Sequence, residues 1–273
     1  MNIRLTTPAD KLGFALRYSG NQMAQALEKK GIHINPEDEP VDIEHVVYPT
    51  SFRHALVLLR LLTINRKTPV LLHFRGGDLR PTSALRLIYL KLWLNRGCFA
   101  IYSTVDLEYP LDYLKPELPR EWVPQGIDVE KFKPLGVKRK DRFLITGTMD
   151  RIKHWEDWLD RMDDSKIDAI EWGPDLDYYK KRYPGITWIP RRPNPEMVKL
   201  YSQYRTVIPQ YSVAFKFGAY GRCELEAAAC GCEVYGTKLT RKEVCEEYSI
   251  EAAAEKCLGV YHRILGKKVG KKA

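Results

Sequence analysis

Short apolar runs and amphipathic stretches alternate along almost the whole chain. Asn2 to Thr6 alternates polar and apolar side chains, which predicts a strand. Gly13, Gly20 and Asn21 then form a glycine-bearing loop, and Gln22 to Lys30 reads as a helix stopped by Gly31. Asp42 to Tyr48 is a further strand candidate. Pro69 to Phe74 is another, apolar enough to be buried on both faces. Phe52 to Leu62 and Ser83 to Asn95 are leucine-rich helical patterns, and Cys98 to Ser103 is a strand.

The pattern restarts in the second half. Arg142 to Gly147, Asp168 to Trp172, Ile186 to Ile189 and Thr206 to Pro209 read as strands. His154 to Met162, Asp175 to Tyr183 and Pro195 to Tyr204 read as helices, the last with proline in its first turn. Tyr248 to Leu265 is a terminal helix. Between the halves, Pro124, Gly126 and Pro134 make a stiff, non-helical joint.

Alternation of this kind predicts parallel sheets wound with helices. The expected fold class is α/β, with two Rossmann-like doubly wound domains. They cover residues 1–125 and 126–250, and residues 251–273 form a terminal helix and basic tail. A chain of 273 residues holds two such domains, and 44% apolar residues supply their cores. No apolar run reaches the roughly 18 residues of a spanning helix, and the first residues read as a strand rather than a leader. The six cysteines form no C-x-x-C pair, so free thiols in a reducing cytosol are expected, with no structural zinc.

The net charge of +9 is unevenly placed. Between Ser51 and Thr104 stand nine basic residues (Arg53, Arg60, Arg66, Lys67, Arg75, Arg80, Arg86, Lys91 and Arg96) against Asp78 alone. A localised basic face implies an anionic partner. A nucleic-acid binder interleaves its cations with exposed aromatics. Here they interleave with leucines and Trp93, which suits an anionic membrane surface or a core helix better. No nucleic-acid partner is expected.

The densest candidate chemistry lies between Gly218 and Val234. Gly218, Ala219, Tyr220, Gly221 and Arg222 form a glycine-spaced loop, followed by a helix-forming run that Gly231 ends. Such a loop brings backbone N–H groups close to an anion, and the helix start adds partial positive charge, which suits a diphosphate. Glu226, one turn further in, could accept hydrogen bonds from a ribose diol. The bland alternative is an alanine-rich core helix.

The run Leu225-Glu-Ala-Ala-Ala-Cys-Gly231 resembles the nucleotide-sugar signature of retaining GT-B-fold glycosyltransferases, the "group 1" family. Glu121 to Pro134 is similar to that family's Pro-Asn-Gly-Val-Asp connector, and the terminal helix to the one that crosses back toward its first domain. The resemblance implies an acceptor domain first, a nucleotide-sugar donor domain second, no cofactor, no metal and retained anomeric configuration. Asp175 and Asp177 have D-x-D spacing but fall at a helix start, where they read as a cap.

The resemblance also assigns residues. Thr146 to His154 lines up with a Gly-Arg-Leu-x-x-x-Lys-Gly loop. Gly147 and Lys153 match, Thr148 replaces the arginine and His154 the last glycine. The family's cations there neutralise the leaving diphosphate. Lys153 matches that role, and Arg151 and Lys216 both stand as candidates for the missing arginine. Gly218 occupies the position of the family's leading glutamate. His73 closes an apolar strand and matches a His-x-His-Gly-x-Asp loop facing the sugar, with Arg75 and Asp78 beside it. Gly20 and Asn21 match the acceptor-side glycine loop. His73, Lys153 and Glu226 are thus the candidate catalytic residues. The implied function is hexosyl transfer from a nucleotide sugar to a glycan or lipid-linked acceptor, in the cytoplasm or on the inner face of a membrane. Two alternatives remain: a nucleotide-sugar-binding protein without activity, which the changes at Thr148 and Gly218 would suit, and a basic nucleic-acid binder.

Overall fold

The computed structural model describes residues 1–7, 14–35, 39–47, 49, 54–74, 84–103, 108–209 and 220–266. The chain divides into two compact units. One comprises Met1–Gly126 with Ile250–Ala273, the other Ile127–Ser249.

The first unit is built on β1 (Asn2–Thr6), β2 (His33–Ile34), β3 (Ile43–Val47), β4 (Val70–Phe74), β5 (Phe99–Tyr102) and β6 (Arg120–Trp122), all parallel, in the order β2-β1-β3-β4-β5-β6. Every residue of β3 and β4 is buried, as a parallel sheet covered on both faces requires. One face, presenting Val46, Val70, Leu72, Phe74 and Ala100, packs on α2 (Ala55–Thr63) and α3 (Ala84–Arg96) through Leu58, Leu61, Leu90, Trp93 and Leu94. The other face, presenting Ile43, Leu71 and Ile101, packs on α1 (Phe14–Glu28) and α10 (Ile250–Ile264). The short α4 (Glu108–Leu114) precedes β6.

Polar residues in these buried strands carry their own partners. Glu44 of β3 is fully buried and takes Arg60 Nη2 on both oxygens at 2.9 Å, with Thr6 Oγ1 donating at 2.9 Å. On the α10 face, His45 Nδ1 meets the Tyr261 hydroxyl at 2.7 Å. His45 Nε2 meets His73 Nδ1 at 3.1 Å, and His73 Nε2 meets Ser103 Oγ at 2.8 Å.

The second unit carries β7 (Lys140–Ile145), β8 (Ile167–Glu171), β9 (Thr187–Pro190), β10 (Tyr204–Val207) and β11 (Glu233–Val234), also all parallel, in the order β11-β10-β7-β8-β9. Its helices are α5 (Glu156–Leu159), α6 (Leu176–Arg182), α7 (Asn194–Tyr201), α8 (Arg222–Ala229) and α9 (Arg241–Glu247). The expected α/β class with two Rossmann-like domains is what the structure contains.

Several local expectations change. The first helix begins at Phe14, so Gly20 and Asn21 lie inside α1 and not in a loop. One glycine costs a helix only about 1 kcal/mol, which a fifteen-residue helix packed on a sheet absorbs. The helix expected over His154 to Met162 shrinks to Glu156–Leu159, preceded by a 3-10 turn at Arg151–Lys153. Gly231, with φ +76°, ends α8 as its position implied.

The Tyr261 hydroxyl reaches a fully buried imidazole from the last helix. Tyr261→Phe keeps the ring and removes that contact. Urea unfolding should show a loss of about 1–3 kcal/mol, the cost of depriving a buried polar group of its partner. An unchanged midpoint and slope would show that the contact adds nothing.

Candidate functional site

The second sheet reverses direction once. The chain runs outward from β7 to β8 and β9, then returns to the other side of β7 as β10 and β11. Loops leaving β7 and β10 therefore diverge and open a crevice at their carboxyl ends, where doubly wound sheets bind ligands. Gly147 and Thr148 follow β7, and the segment after β10 leads into α8. Lys216, Gly218 and Ala219 lie outside the described residues, as do Arg75 and Asp78 of the first unit.

The loop after β7 is held from several sides. Trp155 Nε1 donates to the Thr148 carbonyl at 2.9 Å, and a Cβ on Gly147 would come within 2.5 Å of the Trp155 ring. Gly147 is therefore required by the indole beneath it. Met149 N–H donates to the Trp172 carbonyl at 2.6 Å and Arg151 N–H to Asp175 Oδ2 at 2.8 Å. Asp175 stands at the N-cap of α6 as expected, but its carboxylate holds Arg151 and makes no hydrogen bond to its own helix. His154 has φ +52°, in the left-handed region. That explains why a related loop would use glycine here, and the histidine costs about 1–2 kcal/mol.

The cations of this loop differ. Arg151 lays its guanidinium over the Tyr178 ring, 4.5 Å from the centroid. Lys153 is partly exposed and pairs with no carboxylate among the described residues. Its charge remains available to an anionic ligand.

Glu226 sits in the second turn of α8 and is almost wholly buried. Arg222 Nε, one turn back, donates to its Oε1 at 2.7 Å, and Asn194 Nδ2 to the same oxygen at 3.3 Å. Lys131 Nζ in turn donates to Asn194 Oδ1 at 2.8 Å. The other oxygen, Oε2, takes only a long 3.5 Å contact from the Tyr201 hydroxyl among the described residues. Burial pushes the Glu226 carboxyl pKa up, more than the Arg222 charge and hydrogen bond, Asn194 and Lys131 bring it down. Tyr201 lies 3.4 Å from Thr146 Oγ1, and Cys223 Sγ lies 4.0 Å from the Thr146 carbonyl. The two sequence motifs, the loop after β7 and helix α8, thus meet at one place. Sequence reasoning missed Asn194, Tyr201 and Lys131. Of these, Lys131 stood in the connector segment, where it read only as part of a joint.

Tyr220 and His73, both expected at the site, sit less openly, and Glu224, which sequence reasoning did not single out, stands at the helix start. Glu224, in the first turn of α8, is buried, and its carboxylate lies close enough to Gly221 that an added Cβ would come within 2.5 Å. The helix start therefore carries an acid of its own beside any positive dipole end. Tyr220 packs edge-to-face on Tyr248 at 6.0 Å. In the first unit, His73 closes β4 as expected, but its ring is enclosed between His45 and Ser103. Among the described residues no group of three His, Cys, Asp or Glu side chains is placed to hold a metal.

The raised Glu226 pKa has a signed consequence. The folded chain holds that proton more tightly than the unfolded chain, where glutamate titrates near its ordinary 4.5. The contribution to stability is present below that pH and lost as pH rises through the folded value. Glutamine does not titrate. The unfolding free energy of the parent minus that of Glu226→Gln should therefore fall as pH rises above 4.5. Urea titrations at stepped pH measure it, and a difference that rises with pH contradicts the assignment.

No protein-family model and no curated protein matches the chain. Its fold is similar to that of sucrose-phosphate synthase from Thermosynechococcus elongatus, with TM-score 0.63 and 15% identity over 97% of this chain and 92% of that one. It is also similar to Anabaena Alr3699/HepE, a structure in complex with UDP, with TM-score 0.59 and 13% identity over 97% of each chain. T4 phage β-glucosyltransferase gives TM-score 0.59 and 11% identity over 97% of this chain and 94% of that one. At these identities the likeness is one of fold, and the fold of this chain is the glycosyltransferase-like GT-B type.

Proposed function

We propose that this protein transfers a hexosyl residue from a nucleoside-diphosphate sugar to a glycan or lipid-linked acceptor, with retained configuration and without a divalent metal. The observation that carries this reading is the polar chain Thr146–Tyr201–Glu226 at the strand-order reversal of the second sheet. It joins the loop after β7 to helix α8, the two segments a nucleotide sugar would bridge. The donor domain of this reading is the second unit, and the cytoplasmic face of a membrane is where it would meet a lipid-linked acceptor.

Each residue then has a task. Glu226 Oε2, the less engaged oxygen, accepts the ribose hydroxyls, while Arg222 and Asn194 fix Oε1. Backbone N–H groups at Gly147 and Thr148, and at the Gly218–Gly221 loop, face the diphosphate. As the bond from the sugar C1 to the phosphate oxygen breaks, negative charge grows on the leaving group. Lys153 neutralises it, with Arg151 or Lys216 in support. The acceptor oxygen bonds to C1 on the face the diphosphate leaves, and its proton passes to the departing phosphate. Fixed cations and helix N–H groups provide the stabilisation that other transferases take from a metal. In the first unit, His73 anchors the strand end that leads toward Arg75 and Asp78 on the acceptor side. Thr148 in place of an arginine favours a second reading, nucleotide-sugar binding without transfer. Release of nucleoside diphosphate from a panel of nucleotide sugars separates the two.

Two outcomes follow for the donor site. Glu226→Ala should weaken nucleoside-diphosphate binding by about 1.5–3 kcal/mol, the worth of hydrogen bonds to a charged group. Calorimetry on the folded variant tests this, and unchanged affinity rejects the site. Turnover should also persist in excess chelator, and NMR of the product should show the donor's anomeric configuration. An inverted product, or activity lost to chelator and restored by metal, refutes the mechanism.

A further inference from the structure

Two rows of apolar side chains stand in solvent on the first unit. On α2 they are Leu56, Leu59 and Leu62, with Ile64 just beyond; on α3 they are Leu85, Ile88 and Leu92. Leu56 and Ile64 are 79% and 80% exposed. Both helices pack on the same face of the sheet, through Leu58 and Leu61 and through Leu90, Trp93 and Leu94. Their cores are thus already satisfied by the opposite sides, and the outward rows belong to no core cluster among the described residues. Apolar surface of this kind marks an interaction site.

The charges around the rows fit one partner. Lys91 lies on α3, and Arg66 and Lys67 follow α2 after Ile64 and Asn65. At the amino edges of β4 and β5 lies an open cavity of about 520 Å³, lined by Arg66, Lys67, Arg96 and Arg263 together with Cys98 and Phe99. No carboxylate lines it. Arg96 donates to the carbonyls of Leu61, Asn65, Arg66 and Thr68, all neutral groups, and forms no ion pair among the described residues, although the Glu44 charge acts on it from within the fold. Among the described residues no carboxylate pairs with Arg66, Lys67, Lys91 or Arg96, whereas Arg263 is paired with Glu121. Arg60 does not belong to this field, because Glu44 neutralises it inside the fold, and Trp93 is fully buried. Among the described residues no helix is long and apolar enough to cross a membrane.

We propose that the α2–α3 side of the first unit docks on an anionic phospholipid bilayer. The exposed leucines and isoleucines enter the headgroup boundary, and a lipid phosphate occupies the cavity between Arg66, Lys67 and Arg96. Apolar insertion and headgroup attraction together make a reversible surface association where either alone is weak. The proposal rests on the reading above for its purpose, bringing a transferase to a lipid-linked acceptor, but the docking itself needs no nucleotide.

The test is co-sedimentation of the full chain with phosphatidylcholine vesicles, with and without phosphatidylglycerol, at low and high salt. Binding should require the anionic lipid and weaken with salt. Leu59→Glu with Ile88→Glu, both at exposed positions, should lower the partition coefficient. Arg66→Glu with Lys67→Glu should lower it about tenfold or more, since each cation near the surface contributes to attraction. Replacing the tail residues Lys267, Lys268, Lys271 and Lys272 with glutamine should leave most binding in place. UDP binding, measured separately by calorimetry, should be the same in all three variants. Absence of binding to anionic vesicles, equal binding to neutral ones, or loss only in the tail variant overturns the proposal. So does self-association in sedimentation velocity that Leu59→Glu with Ile88→Glu abolishes while vesicle binding stays unchanged, since the face would then be a contact between copies. Vesicle binding without UDP binding leaves the docking intact and rejects the donor site instead.

Discussion

The first unit depends on its last helix. One face of its sheet is closed jointly by α1 and α10, which stand at opposite ends of the chain. The tie is chemical as well as apolar: the Tyr261 hydroxyl meets His45, and through His73 the polar chain reaches Ser103 across three adjacent strands. Buried imidazoles need partners, and α10 supplies one of them to His45. The joint has the same logic. Gly126 has φ +72°, and a Cβ there would come within 2.7 Å of Ile250, so the chain leaves and re-enters this unit at nearly one place. The second unit is then an insertion whose own ends are held together, with Ile127 N–H donating to the Tyr248 carbonyl at 2.8 Å. Close termini are what an inserted domain requires.

Within the insertion, the costly feature is a carboxylate at the centre of a helix–sheet layer. Glu226 is tolerated because Arg222, Asn194 and Tyr201 converge on it, and because Lys131 stands behind Asn194. Burial of such a cluster is poor evidence of stability, since desolvation opposes the pairing. One oxygen is fixed by two donors and the other is left with a long contact among the described residues, an asymmetry that the proposed donor site would use to meet a ligand hydroxyl. The glycine at 147 fits the same design, because the indole of Trp155 occupies the space a side chain would need and draws the Thr148 carbonyl toward it.

Much of this was legible from residue order. The apolar strands β3, β4, β5, β7 and β8 fall within a residue or two of where their patterns placed them, because burial on both faces writes an unbroken signal. Helix α8 and its glycine stop were legible for the same reason. Other features left no local mark. Strands β2 and β11 have two residues each and exist through their neighbours' hydrogen bonds. Gly20 reads as a breaker alone, yet it lies within a helix that tertiary packing sustains. Asp175 has the residue type and place of a cap, but a backbone N–H from Arg151 competes for its carboxylate. Asn194 and Tyr201 converge on Glu226 only because α7 and α8 are neighbours in space.

The basic stretch between residues 51 and 104 shows why a charge count and a charge field differ. Arg60 is matched inside the fold by Glu44, and Arg96 is turned inward to organise four carbonyls at the end of α2. What reaches the surface is a smaller set, Arg66, Lys67, Arg86 and Lys91 among the described residues, with Arg96 half-buried in the wall of the cavity, beside leucines that stand exposed. Helices that face a core on one side and solvent on the other normally keep the outer side polar. On α2 and α3 exposed leucines and isoleucines stand on the outer side, on α3 interspersed with Arg86 and Lys91, within a unit whose opposite sheet face is closed by its own helices. The asymmetry therefore cannot be assigned to incomplete packing of the sheet. Apolar volume and negative charge together are what a bilayer surface offers, and that pairing is the physical basis of the docking proposed for this side.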